Sequence, residues 1–255
     1  MLYTNEAGTP GETAVLFLHG GGLSSKSWMP VIEHLPEFHC LAPDLPEQGR
    51  SKDIPYSITA SVDGVMEIIR ERVPAQKTHL VAHSLGGPVA FGLLRAAPEL
   101  IDSVIISGGS GQISPLLSKL GKSTLWMYRF FKPDYLIRET MRQHGIQPQY
   151  ESLVREDLLQ GMSPDFMRRY MTELTTWKLP EQIENRLLLA VGEKEAKAAF
   201  NFARGYLKRF PSAAGVIVPD AKHAWSLQFP ERFAEMVRAW VTQQPLPRGF
   251  QELQR

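Results

Sequence analysis

Cysteine is almost absent: Cys40 is the only one in 255 residues, which excludes an intrachain disulfide and a cysteine-based metal site. A dominant charge is missing too. The net charge is +1, with charged residues at 22%, so bulk electrostatics offers no attraction to nucleic acid or to an anionic membrane. No apolar run is long enough to cross a bilayer. Met1 to Thr13 carries Glu6, Gly8, Pro10 and Gly11 and lacks the apolar centre of a signal peptide. Internal repeats and low-complexity segments are also lacking. These absences imply a cytoplasmic chain that binds a small molecule, with no metal, cofactor, nucleic acid or membrane as partner. Oligomeric state is not legible. Cys40 lies in an apolar stretch, where an inert core thiol is expected.

What is present is an alternation. Hydrophobic residues make up 43% of the chain, enough for a substantial core. Ala14 to Leu18 and Phe38 to Ala42 are apolar runs, as are Leu80 to Ala82, Asp102 to Ser107, Leu187 to Val191 and Gly215 to Val218. Such runs mark strands buried on both faces. One further short strand is expected at Leu2 to Thr4. Between them, Ser27 to Leu35, Thr59 to Glu71, Gly87 to Ala97, Phe200 to Phe210 and Pro230 to Thr242 repeat apolar residues at helical spacing. The pattern predicts an α/β fold, a mostly parallel sheet with helices on both faces.

One segment breaks the alternation. Residues 111–180 contain no strand-like run and are helical in pattern. They are rich in large apolar groups, among them Leu116, Leu120, Trp126, Tyr128, Phe130, Phe131, Met162, Phe166 and Tyr170. The segment is expected to be a helical cap on a core of residues 1–110 and 181–255. Most of its apolar residues should form the cap's own core, and the rest should line a pocket. Residues 245–255 read as a loosely attached tail.

The chemistry centres on His79-Leu-Val-Ala-His-Ser84-Leu-Gly-Gly87. An apolar strand meets a small, glycine-rich turn carrying one serine, and a helix follows. The turn matches G-x-S-x-G except that Ala82 replaces the first glycine. A serine nucleophile needs a base, an acid to orient that base, and donors for the oxyanion. In an open parallel sheet all of these lie at the carboxyl ends of strands. His34, His39 and His79 fall at the wrong ends. His144 falls in the cap, where solvation is expected. His83 adjoins the serine and should diverge from it, and His19 belongs to a glycine loop that it is expected to shape. His223, after the last long strand, is the candidate base. Glu193 and Glu195 both follow the strand at Leu187 to Val191, and either could reach it. The backbone N–H groups of Leu85 and Gly21 are the candidate oxyanion donors. Gly22, Trp126, Phe130 and Trp225 are candidates for the substrate pocket.

The order Ser, acid, His, with His19-Gly-Gly-Gly22 and a cap after the strand beyond the serine, resembles the α/β-hydrolase fold family. Asp44 through Gly49-Arg50-Ser51 resembles the family's D-x-x-x-x-G-x-S turn, and His223 with Phe229-Pro230-Glu231 its histidine segment. The resemblance implies a cap inserted after the sixth family strand and a shortened N-terminal edge of the sheet. It also implies Glu195 as the triad acid, at a position where the family usually has Asp. Lys222 stands where a glycine is common. The activity implied is a serine hydrolase, carboxylesterase-like, cleaving an ester, thioester or lactone. A carbon–carbon bond hydrolase, a cofactor-free lyase or a non-catalytic small-molecule receptor would be alternatives on the same scaffold.

Overall fold

The computed structural model describes residues 1–73, 77–161 and 163–255, with the side chains of all but Tyr128 and Arg129. Met162 and the Tyr128 side chain, both expected in the cap's apolar set, thus lie outside what is described. Eight strands form one sheet: β1 (Thr4–Ala7), β2 (Ala14–Leu18), β3 (His39–Pro43), β4 (Thr78–His83), β5 (Ile101–Ser107), β6 (Arg186–Gly192), β7 (Ala214–Val218) and β8 (Gln251–Glu252). Their order is β1-β3-β2-β4-β5-β6-β7-β8. The six inner strands are parallel, and only β1 on β3 and β8 on β7 are antiparallel. A single antiparallel strand therefore precedes β2, the short N-terminal edge that was expected. From β2 the chain steps outward to β3 and then returns to β4 on β2's other side. That reversal opens a crevice beyond the carboxyl ends of β2 and β4, where ligands bind in such sheets.

Helices cover both faces because strand residues alternate sides. On one face Leu16, Leu80, Val104 and Leu189 pack with α2 (Ile58–Arg72), α3 (Gly86–Ala96) and α8 (Lys197–Arg209). On the other, Phe17, Val81, Ile105 and Ala190 pack with α1 (Met29–Ile32), α9 (Trp225–Gln228) and α10 (Pro230–Val241). Cys40 is buried there, and desolvation raises its thiol pKa to about 12, which makes it inert.

Between β5 and β6 stand α4 (Pro115–Thr124), α5 (Pro133–His144), α6 (Glu151–Gly161) and α7 (Pro164–Thr176). They do not close a core of their own. Phe166, Leu174 and Trp177 join the sheet's main cluster. Ile137, Met141, Val154 and Leu158 close around Leu23, Ala224 and Leu227.

Other expectations shift. The strand expected at Leu2 to Thr4 begins at Thr4, because pairing with β3 sets its register, while Leu2 is buried against Gly64. Ser27 to Leu35 is not one helix but a 3₁₀ turn, Ser25–Trp28, followed by the short α1. The tail is not loose. Leu253 is buried and its N–H donates to the Gly215 carbonyl (2.9 Å), while Phe250 packs edge-on to Trp225.

Candidate active site

β4 ends at His83, and Ser84 turns the chain with φ +48°, a left-handed conformation costly for a residue with a Cβ. The turn is tied on both sides. Ser84 N–H donates to the Ser107 carbonyl (3.0 Å), and Gly87 N–H donates to the Ser84 carbonyl (2.9 Å). A Cβ at Gly86 would lie 2.6 Å from the Leu18 carbonyl oxygen, so only glycine lets α3 start this close to β2. The glycine loop presses against the same turn: a Cβ at Gly20 would meet His83 at 2.7 Å.

His19 shapes that loop. Its Nδ1 lies 2.9 Å from the Gly20 carbonyl, and its Nε2 accepts from Leu45 N–H (2.9 Å). The acceptor role of Nε2 puts the proton on Nδ1. Gly21 borders Leu85, with a virtual Cβ 3.3 Å from Leu85 Cδ1. Gly22 N–H is already committed to Gln48 Oε1 (2.9 Å). Gln48 was not singled out in the sequence; it is a buried glutamine bracing the loop.

His223 and Glu195 meet. His223 Nδ1 lies 2.6 Å from Glu195 Oε2, and Glu195 Oε1 accepts from Gly192 N–H (2.8 Å). The Glu195 side chain is 2% exposed and the His223 side chain 27%. A carboxylate acceptor places the proton on Nδ1 and leaves the Nε2 lone pair free for a hydroxyl. Glu193 points elsewhere and accepts from Asp220 N–H (2.9 Å). Gly108, at the end of β5 with φ +58°, underlies the pair: a Cβ there would be 2.8 Å from the imidazole.

A cavity of about 370 Å³ brings Ser84 and His223 together with Gly20, Gly21 and Gly22 on the core side. Leu136, Glu139, Leu158, Phe166, Met167 and Tyr170 face them from the inserted helices. Trp126 and Phe130, expected in this lining, are not there. They stand 53% and 66% exposed on the outer side, ring against ring at 5.5 Å, because Phe166 and Tyr170 of α7 already fill the inward face. Trp225 is not there either. It is fully buried under the sheet against Phe233, its Nε1 donating to Ser107 Oγ (2.7 Å).

His144 was expected in solvent, yet it lines the cavity with its ring 5.1 Å from that of His223. Nothing in its sequence neighbourhood marks it; the folding of α5 onto the histidine loop places it there. Its carbonyl accepts from Ala224 N–H (2.8 Å), Lys222 Nζ donates to the Arg142 carbonyl (2.8 Å), and Gln147 Nε2 donates to the Gln228 carbonyl (2.5 Å). Lys222 thus caps the carbonyl end of α5, where a cation is favoured. Burial, then the neighbouring His223, lowers the His144 pKa to about 4, against a smaller opposing pull from Glu195. Burial likewise holds His83, 4.7 Å from His223, well below the usual histidine range. Both neighbours are therefore neutral at pH 7, and an imidazolium forming on His223 meets no positive charge from either. Among the described residues no cluster of His, Cys, Asp or Glu could hold a metal ion, and no helix is long and apolar enough to cross a membrane.

A parallel sheet with a strained serine turn at its reversal point and a histidine–carboxylate pair beside it defines a class. The chain belongs to the alpha/beta hydrolase fold family, whose profile matches residues 13–239. The family together with its esterase relatives supports an enzyme of the hydrolase type. Among its relatives, the pimeloyl-acyl-carrier-protein methyl ester esterase of Nitrosomonas europaea is 26% identical, over 86% of this chain and 92% of the relative. A Bacillus subtilis protein provisionally named 2-succinyl-6-hydroxy-2,4-cyclohexadiene-1-carboxylate synthase is also 26% identical, over 93% of both chains. The solved structure of a thermophilic esterase from Thermogutta terrifontis superposes with a TM-score of 0.80 at 22% identity, covering 95% of this chain and 93% of that one. At that identity it speaks to the fold alone.

Proposed function

We propose that this chain is a serine hydrolase that cleaves the ester, thioester or lactone bond of a small, mostly apolar, uncharged substrate through an acyl-enzyme. One observation carries the proposal: a serine held at φ +48° shares a cavity with a histidine whose other nitrogen is engaged by a buried carboxylate. Ser84 Oγ attacks the carbonyl carbon while His223 Nε2 takes its proton. Glu195 accepts from Nδ1–H and steadies the imidazolium. The oxyanion forms against the N–H groups of Leu85 and Gly21, Gly22 being occupied by Gln48. His223 then protonates the leaving alcohol or thiol. Water, deprotonated by the same nitrogen, releases the acid and restores Ser84. The helices of residues 111–180 serve as the cap that closes the cavity.

Substrate charge follows from the wall. Among the described lining residues none is Lys or Arg, and the one carboxylate, Glu139, is held ionised, its pKa lowered to about 2 by Arg142 and Gln143. A carboxylate-bearing substrate would find no cation there. That weighs against a substrate already carrying a carboxylate, and so against the carboxylate synthase activity in the name of the Bacillus relative. Hydrolysis of p-nitrophenyl esters tests the proposal. Ser84→Ala should lower kcat by at least about 10³-fold with the fold intact, and turnover retained in that variant would refute the assignment. A short-chain neutral ester should be cleaved well ahead of its ω-carboxylate counterpart.

A further inference from the structure

Eight of the ten large apolar side chains that stand exposed among the described residues lie between positions 116 and 135. They include Leu116, Leu120, Trp126, Met127, Phe130 and Phe131, on α4 and the stretch leading into α5. The catalytic cavity uses none of these six. Exposed apolar residues concentrated in one segment, with Trp126 against Phe130 and Phe131 against Tyr135, mark a candidate interaction site. We propose that this outer face of the cap docks on an anionic phospholipid surface.

Charge selects that occupant. Lys119, Lys132 and Arg138 are exposed among the apolar residues and Lys122 partly so. The one carboxylate within positions 115–138, Asp134, is paired with Arg155. Basic residues interleaved with Leu, Trp and Phe suit an element that lies in a headgroup layer: the rings enter the acyl boundary and the cations meet phosphate. A second copy fits less well, because a two-fold contact places the same patch on both sides and sets these cations against each other. The net charge of +1, which argued against a membrane partner, averages over this local excess. The patch is also joined to the site. On α5 Tyr135 and Arg138 face out, while Leu136 and Glu139 line the cavity one position further along. Delivery of a membrane-dissolved ester to Ser84 would follow, a consequence that rests on the proposed hydrolase activity; the docking itself does not.

Vesicle co-sedimentation of the full chain is the test, with phosphatidylglycerol–phosphatidylcholine vesicles beside phosphatidylcholine alone. The chain should pellet with the mixed vesicles, less so at high salt, and only weakly with phosphatidylcholine. Lys119→Glu with Lys132→Glu should weaken binding to the mixed vesicles at least about 25-fold, each lysine near such a surface being worth about five-fold in partitioning. Leu120→Ser with Phe130→Ser should also release the chain, and brominated lipid should quench a fluorescence component that Trp126→Phe removes. All of these positions are exposed, so the variants should keep the parent's circular dichroism, and none of the readouts depends on catalysis. Failure of the folded parent to pellet with mixed vesicles would overturn the proposal. So would equal binding to both vesicle types, or a concentration-dependent dimer in sedimentation that Phe130→Ser alone dissolves.

Discussion

Ser84 holds a backbone conformation that its own side chain disfavours by about 1–2 kcal/mol, and the turn is kept there by Gly86 against Leu18 and by Ser84 N–H on Ser107. Strain at such a place is tolerated when the residue is used. Ser84→Gly should therefore raise the free energy of unfolding by about 1 kcal/mol in urea titrations while removing ester hydrolysis; a less stable variant would count against stored strain. Glu195 is the second residue to probe. Glu195→Gln keeps the shape but no longer holds the proton on Nδ1, so kcat should fall by about 10³–10⁴-fold, as expected for an orienting acid. Glu193→Gln should hydrolyse esters as the parent does. The choice between these glutamates was open from the residues alone, because both follow the same strand. Gly192 N–H and His223 take the two oxygens of Glu195, and that contact is what supports it over Glu193.

At the scale of elements, the join between α5 and the histidine loop matters most. Lys222 on the Arg142 carbonyl and Ala224 N–H on the His144 carbonyl clamp the end of α5, and Gly145, with φ +81°, ends it where a Cβ would lie 2.9 Å from Lys222 Cβ. Lys222→Gly removes the cationic cap and should raise KM for esters several-fold with a smaller change in kcat, since the cavity wall loosens while His223 keeps Glu195. A loss confined to kcat would mean that Lys222 acts on His223 instead. Little of this join was legible beforehand. The strands could be read because runs such as Ala14–Leu18 have no other stable use than a doubly covered sheet. His144, Gln48 and the outward Trp126 and Phe130 could not, because their roles depend on which way a helix rolls over the core. Amphipathic spacing in α4 and α7 does not say which apolar face is turned inward.

Taken whole, the molecule carries two neutral histidines beside His223, His83 buried and His144 half-buried, and that sets its response to acid. His144 has a native pKa of about 4 and His83 lies well below the usual value, against about 6.5 for each in the unfolded chain. The unfolded state then binds more protons as pH falls, so stability is full above about pH 6.5 and is lost on the way down to pH 4. Urea midpoints should fall from pH 7 to pH 5, before the salt-bridged carboxylates Glu6, Glu37 and Glu47, whose pKa values are lowered, begin to titrate. His144→Gln should flatten that slope, with an effect on the order of 2 kcal/mol; an unchanged slope would mean His144 is solvated. The alternating architecture, the family and the serine–histidine order were all readable from the chain, since a parallel sheet confines its reactive groups to one end. The most direct measurement on the central claim is the mass of the intact protein after treatment with a fluorophosphonate. The expected result is a single adduct on Ser84, absent in Ser84→Ala and slow to form in Glu195→Gln. Folded protein that stays unlabelled, or an adduct on another residue, would contradict it.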